Sequence, residues 1–158
     1  MKRRLLSVVL CLVIVISMTA CNSKSKPSNQ HVDGELSDIF VKIYENSGVE
    51  ELLTYETMLN DANKASMLGS DEVVFLEGLA SDAAIMTIPH SMVLIRIDSS
   101  VDVEKTKKLI KDNVDPWKWI CVGVEADQVI VDNIGDLVFL VMSKDAKAYH
   151  ESFLKLAE

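Results

Sequence analysis

From Leu36 onward the apolar residues fall into a run of short periods. Leu36, Ile39, Phe40 and Ile43 stand at i, i+3, i+4 and i+7, one face of an amphipathic helix, and Gly48 supplies its stop. Residues 49–59 carry no clear period. Asp61 to Leu68 reads as a short helix closed by Gly69. Val73-Val74-Phe75-Leu76 is β-branched and aromatic, which predicts a strand, and Ser81-Asp82 reads as a break. Pro89 then opens a second strand, Met92 to Asp98, in which Val93, Ile95 and Ile97 alternate with Met92, Leu94 and Arg96.

Helical spacing returns at Val103, Thr106, Ile110 and Val114. Asp102 and Glu104 lie at the start and Lys107, Lys108 and Lys111 further on, the order that suits the helix dipole. Asp115-Pro116 ends it, since a residue before proline avoids the α region. Gln128–Asn133 and Leu137–Ser143 predict a hairpin turning at Asn133-Ile134-Gly135-Asp136. A last helix starts at Ser143 or Asp145 and buries Ala146, Tyr149, Phe153 and Leu156. The predicted order is a helix, a short helix, then β-β-α-β-β-α. This is an α+β domain, a small antiparallel sheet with helices packed on it. The arm Leu137–Met142 is apolar throughout, so its strand is covered on both faces. Helices commonly cover one face; the N-terminal helices or a partner must cover the other.

The first twenty residues follow a different pattern. Lys2-Arg3-Arg4 precedes an apolar run of 12 residues, Leu5 to Ile16, and then Met18-Thr19-Ala20-Cys21. A spanning helix needs ~20 apolar residues, so the run is too short to be one. Basic start, apolar middle and small residues at the end describe a secretory signal. The cysteine after Ala20 resembles the lipobox of bacterial lipoproteins. That resemblance implies cleavage between Ala20 and Cys21, a diacylglyceryl group on Cys21, and an extracytoplasmic position at the outer face of the cell membrane. Two acyl chains at one residue give stable anchoring, where a single chain is marginal. The expected organisation is a signal over residues 1–20, lipidated Cys21 with a flexible tether over 21–34, and one globular domain over 35–158. Asn22 to Gly34 is polar and contains Pro27, and a flexible segment of this length spans about 20 Å. His31, within it, reads as solvated.

Charge narrows the choice of partners. Without residues 1–20, which hold no acid, 13 basic and 24 acidic residues leave a net charge of −11. Such a chain is repelled by phosphate backbones, so no nucleic-acid partner is expected. It is also repelled by anionic lipid, so membrane contact is expected through Cys21 alone. The acidity itself reads as solubility.

The chemistry-bearing residues are sparse. With Cys11 lost and Cys21 lipidated, Cys121 is alone and can form no intramolecular disulfide. Its setting, Trp119-Ile120-Cys121-Val122, predicts a small buried hydrophobe. His150-Glu151 opens like a zinc-protease helix, but position 154 is Leu where a second histidine is required. Asp127, Asp132 and Asp136 lack the spacing of a calcium loop, and the six glycines form no phosphate-binding loop. No catalytic residue, metal or cofactor is therefore assigned. Trp117 and Trp119, two apart beside Pro116, point to opposite sides of an extended segment and are the candidate interaction surface. Met58, Met67, Met86 and Met92 read as core filling, or else as an adaptable groove.

Val101–Glu104, Asn113–Cys121 and Val129–Met142 together resemble the small Firmicutes lipoproteins of the DUF4358 domain family. The likeness runs from about Leu36 to Ala157 and is best in the C-terminal two thirds. It implies a lipobox and an extracytoplasmic position, and carries over no activity and no catalytic residue. The expected function is a non-enzymatic interaction or ligand-binding module, with a membrane-proximal protein as the candidate partner. The alternative is an extracytoplasmic hydrolase using Ser91, His90 and a distant aspartate. Neighbours in a strand face opposite ways, which makes His90 a poor base for Ser91. A transport role could only be accessory, since the chain is too short for a two-lobed binding protein.

Overall fold

The computed structural model describes residues 31–158, so the expected signal and cleavage site, Cys21 and the expected tether up to residue 30 lie outside the described residues. Nine elements follow: α1 (Leu36–Ser47), β1 (Thr54–Met58), α2 (Lys64–Leu68), β2 (Glu77–Ala83), β3 (His90–Arg96), α3 (Val103–Asn113), β4 (Val129–Ile134), β5 (Leu137–Ser143) and α4 (Ala146–Leu154). The strands form one antiparallel sheet in the order β1-β2-β3-β5-β4, and the fold is α+β.

Local chemistry sets the boundaries. Gly48 and Gly69 take the left-handed conformation that closes α1 and α2. The Asp102 side chain accepts from the Lys105 N–H at 3.0 Å and caps α3. Gly135, at φ 56°, turns β4 into β5.

The centre of the sheet is β3 beside β5, both buried along their whole length. Met92, Leu94, Leu137, Phe139 and Val141 face α1 and α4, meeting Ile39, Phe40, Ile43, Tyr149 and Phe153. Phe139 stacks on Phe153 with 4.6 Å between ring centres. Val93, Ile95, Val138, Leu140 and Met142 face the other way, onto Leu68, Val73, Ile110 and Trp119. The chain thus covers both faces by itself, and the apolar arm 137–142 is explained without a partner.

Several expectations are corrected. Residues 73–76 are not a strand. Val73 is buried and Phe75 half-packed in loop conformation, and only the Leu76 N–H, bonded to the Arg96 carbonyl at 2.7 Å, joins the sheet. The strands on this side are β1, which no period predicted, and β2. Ser81-Asp82 is no break but the last part of β2 before Ala83, where each side chain finds a partly buried partner from elsewhere in the chain. Cys121 is exposed, not buried, and sits at φ 61°. Trp119 takes the core position, and the chain turns outward directly after it. Val32 is buried against α1 and α4, so the packed domain begins inside the segment read as tether. His31 is exposed, as read, and also bonds Asp136 across 2.9 Å. Of the methionines named, Met92 fills core, while Met58 and Met86 are exposed.

Candidate functional site

β2 and β3 carry four buried polar residues at one end of the sheet, in adjacent pairs. Asp82 lies opposite Ser91 in the register, and Ser81 and His90 alternate with them. The pairs therefore project to opposite faces.

On the α1/α4 face the Tyr44 hydroxyl lies 2.8 Å from Ser81 Oγ and 2.9 Å from His90 Nε2. The Tyr149 ring stands edge-on to both Tyr44 and His90, at 5.6 and 5.1 Å between centres. Burial pushes the His90 imidazole down to about 4, a shift that Asp82 opposes and Lys118 assists, so the ring is neutral at ordinary pH. Burial also raises Tyr44, and takes Tyr149 up to about 12. The result is a neutral, mutually bonded cluster that ties α1 and α4 to the sheet.

On the opposite face Lys118 Nζ donates to Asp82 Oδ1 at 3.0 Å and to Ser91 Oγ at 2.9 Å, and stands 5.5 Å from the centre of the Trp119 ring. The lysine side chain is 17% exposed and the aspartate 7%. This pair pins the connection between α3 and β4 onto β2 and β3. His90 and Ser91 are thus separated by the sheet, and Ser91 is fully buried. Ser91 Oγ accepts from Lys118 Nζ, which also donates to Asp82. The constellation binds elements together across the sheet.

Solvent reaches this end of the fold through clefts that flank β1. A cleft of about 520 Å³ has Tyr44, Tyr149 and Thr54 on its walls and Glu45, Glu50 and Glu51 around it. A second, about 390 Å³, runs beside Leu36, Met58, Leu76 and Leu79, with Glu35, Glu56 and Glu77. No lysine, arginine or histidine lines either one. Arg96 neutralises Glu77 at 2.6 Å, and the other five glutamates have no ion pair among the described residues. On the far side of β1 a smaller cleft, about 190 Å³, is walled by Tyr55, Met67, Met86 and Trp119 above the Asp82–Lys118 pair.

No family model, curated protein or solved structure matches this chain. The family likeness drawn above rests on its strand and helix patterns alone.

The residues singled out in the sequence are scattered. Trp119 is core and lines the small cleft with its remaining edge. Trp117 is 62% exposed and lies over Gly123, where a Cβ would meet its ring at 2.5 Å. One ring in and one out is the arrangement their spacing predicts. His150 bonds Asp132 at 2.7 Å, and that bond, aided by the Asn133 N–H and by Lys107, holds the Asp132 carboxyl below the usual range. Among the described residues no group of three or more His, Cys, Asp or Glu side chains is placed to hold a metal. None of their helices is long and apolar enough to cross a membrane. Sequence reasoning missed Tyr44, Tyr55, Glu56 and Lys118. The available signal was the repeated Tyr-Glu pair, Tyr44-Glu45 and Tyr55-Glu56, with Glu50-Glu51 between.

Proposed function

We propose that the protein is a lipid-tethered, extracytoplasmic binding module that holds a cationic partner at the outer face of the cell membrane, without catalysing a reaction. The tethering part rests on Met18–Cys21 and the basic and apolar segments before it. The binding part is carried by one observation: the tyrosine-walled cleft beside β1 is ringed by glutamates and has no basic residue. A concave site with an apolar wall and a few convergent polar groups is the usual form of a recognition site. Its charge repels phosphates and acidic peptides and attracts ammonium and guanidinium groups. The tether, spanning about 20 Å on average, holds the domain near the lipid, so the partner is membrane-proximal.

Two measurements in intact cells test this. Labelled palmitate should enter the native chain and not Cys21→Ser. A photocrosslinking residue at Val41, on the wall of the cleft, should give a discrete protein adduct, while one at the exposed Lys108 on α3 should not. No acylation, or identical adducts from both positions, would contradict the proposal.

A further inference from the structure

The geometry points to β1 as a docking edge for an extended segment of a partner protein in which basic and apolar residues alternate. The inference rests on the binding role proposed above and gives that partner its chemistry.

The backbone comes first. β1 pairs with β2 alone and forms the end of the sheet. The Leu59 N–H donates to Gly78 and the Ala84 N–H to Leu53, both at 2.9 Å, which fixes the phase of the ladder. Hydrogen-bonded positions alternate in an antiparallel pair. Residues 53, 55, 57 and 59 therefore bond to β2, and the N–H and C=O of Thr54 and Glu56 point outward. Asn63 Nδ2 takes the Met58 carbonyl at 2.9 Å and closes the edge at that end. What stays open is a short template for strand addition, which supplies affinity through main-chain bonds and specificity through alternate side chains.

The two sides of that template differ. Thr54, Glu56 and Met58 share a face with Ser81 and Leu79, and there the glutamate-lined clefts flank the edge. Tyr55 shares the other face with Asp82, beside the cleft of Met67, Met86 and Trp119. An added strand sends successive side chains to opposite faces. Lysines or arginines on one side would meet Glu56, Glu51 and Glu45, and apolar side chains on the other would lie on Tyr55 and Met86. A second copy of the chain fits poorly, because it brings the same glutamates and a net charge of −8 against themselves.

The test is fluorescence anisotropy of labelled hexapeptides on the full chain in non-ionic detergent. The three peptides are alternating Lys and Val, the same residues in two blocks, and alternating Glu and Val. The first should bind at least about tenfold tighter than either other, and weaken as salt rises. Glu56→Gln should weaken it several-fold. Glu56→Pro removes an outward N–H that the β1–β2 ladder does not use, and should weaken it by about tenfold or more. Should Glu56→Pro fail to fold, the double variant Glu50→Gln, Glu51→Gln takes its place, with a several-fold loss expected. Equal binding of the alternating and block peptides would overturn the inference, as would full binding by folded Glu56→Pro or by the double variant, or a β1-joined dimer that the peptide does not dissolve. Failure here with the Val41 adduct intact would leave the binding role standing and remove only this chemistry for the partner. Loss of acylation would remove the tether and leave this result untouched.

Discussion

β5 and β1 belong to the same sheet and differ in almost everything else. β5 is buried at every position, has neighbours on both edges, and is covered by helices on both faces. β1 has one neighbour, has no buried position, and places Met58 76% exposed at its end. In β5 each residue stabilises the fold through area removed from water. In β1 the Thr and Tyr residues favour extended backbone, yet little apolar surface is buried. The lesson is a division of labour: the centre of the sheet carries stability, and its β1 edge is left available for contact.

Substitutions should respect that division. Phe139→Ala removes a fully buried ring stacked on Phe153 and should cost about 3–5 kcal/mol in urea denaturation. Between the extremes lie the polar pairs of β2 and β3. Lys118→Met strands the buried Asp82 carboxylate and should cost about 3 kcal/mol or more, and adding Asp82→Asn should recover part of that. No recovery would mean that Lys118 acts through packing rather than charge.

His90 gives the pH dependence. The unfolded chain takes up a proton near the ordinary histidine value of 6.5, and the folded one only at about 4. Stability should therefore fall as pH drops from about 6.5 to 4, by roughly 3 kcal/mol at about 1.36 kcal/mol per pH unit, and level off below. Thermal melts of the native chain and His90→Gln should differ in slope across that window and run parallel above it. Met58→Ala, at the exposed edge, should change stability by no more than about 0.5 kcal/mol. A large loss there would place β1 with the core after all.

The same contrast explains what the sequence made legible. Strong periodicity comes from burial. The stripes Leu36–Ile43, Val103–Ile110 and Ala146–Phe153, and the continuous arm 137–142, all announce their elements correctly. β1 is silent because Tyr55 and Met58 fall on opposite faces, so no alternation marks it. Residues 73–76 mislead because Val73 and Phe75 pack inward from a loop, giving strand-like composition without a ladder. Ser81-Asp82 and His90-Ser91 look like breaks or surface because their partners, Tyr44 and Lys118, come from distant parts of the chain. The candidate site was illegible for the same reason: its glutamates belong to α1, to the strand β1 and to the loops around them, and only the fold gathers them.

The central claim, a closed core with an open edge at β1, is tested most directly by amide hydrogen exchange on the full chain with and without the alternating Lys–Val peptide. The account predicts that β5 amides exchange only through global unfolding. The Thr54 and Glu56 amides should exchange quickly, then slow when the peptide is added, while Tyr55 and Thr57 change little. Thr54 and Glu56 amides as protected as β5 without peptide, or unmoved by it, would contradict the account.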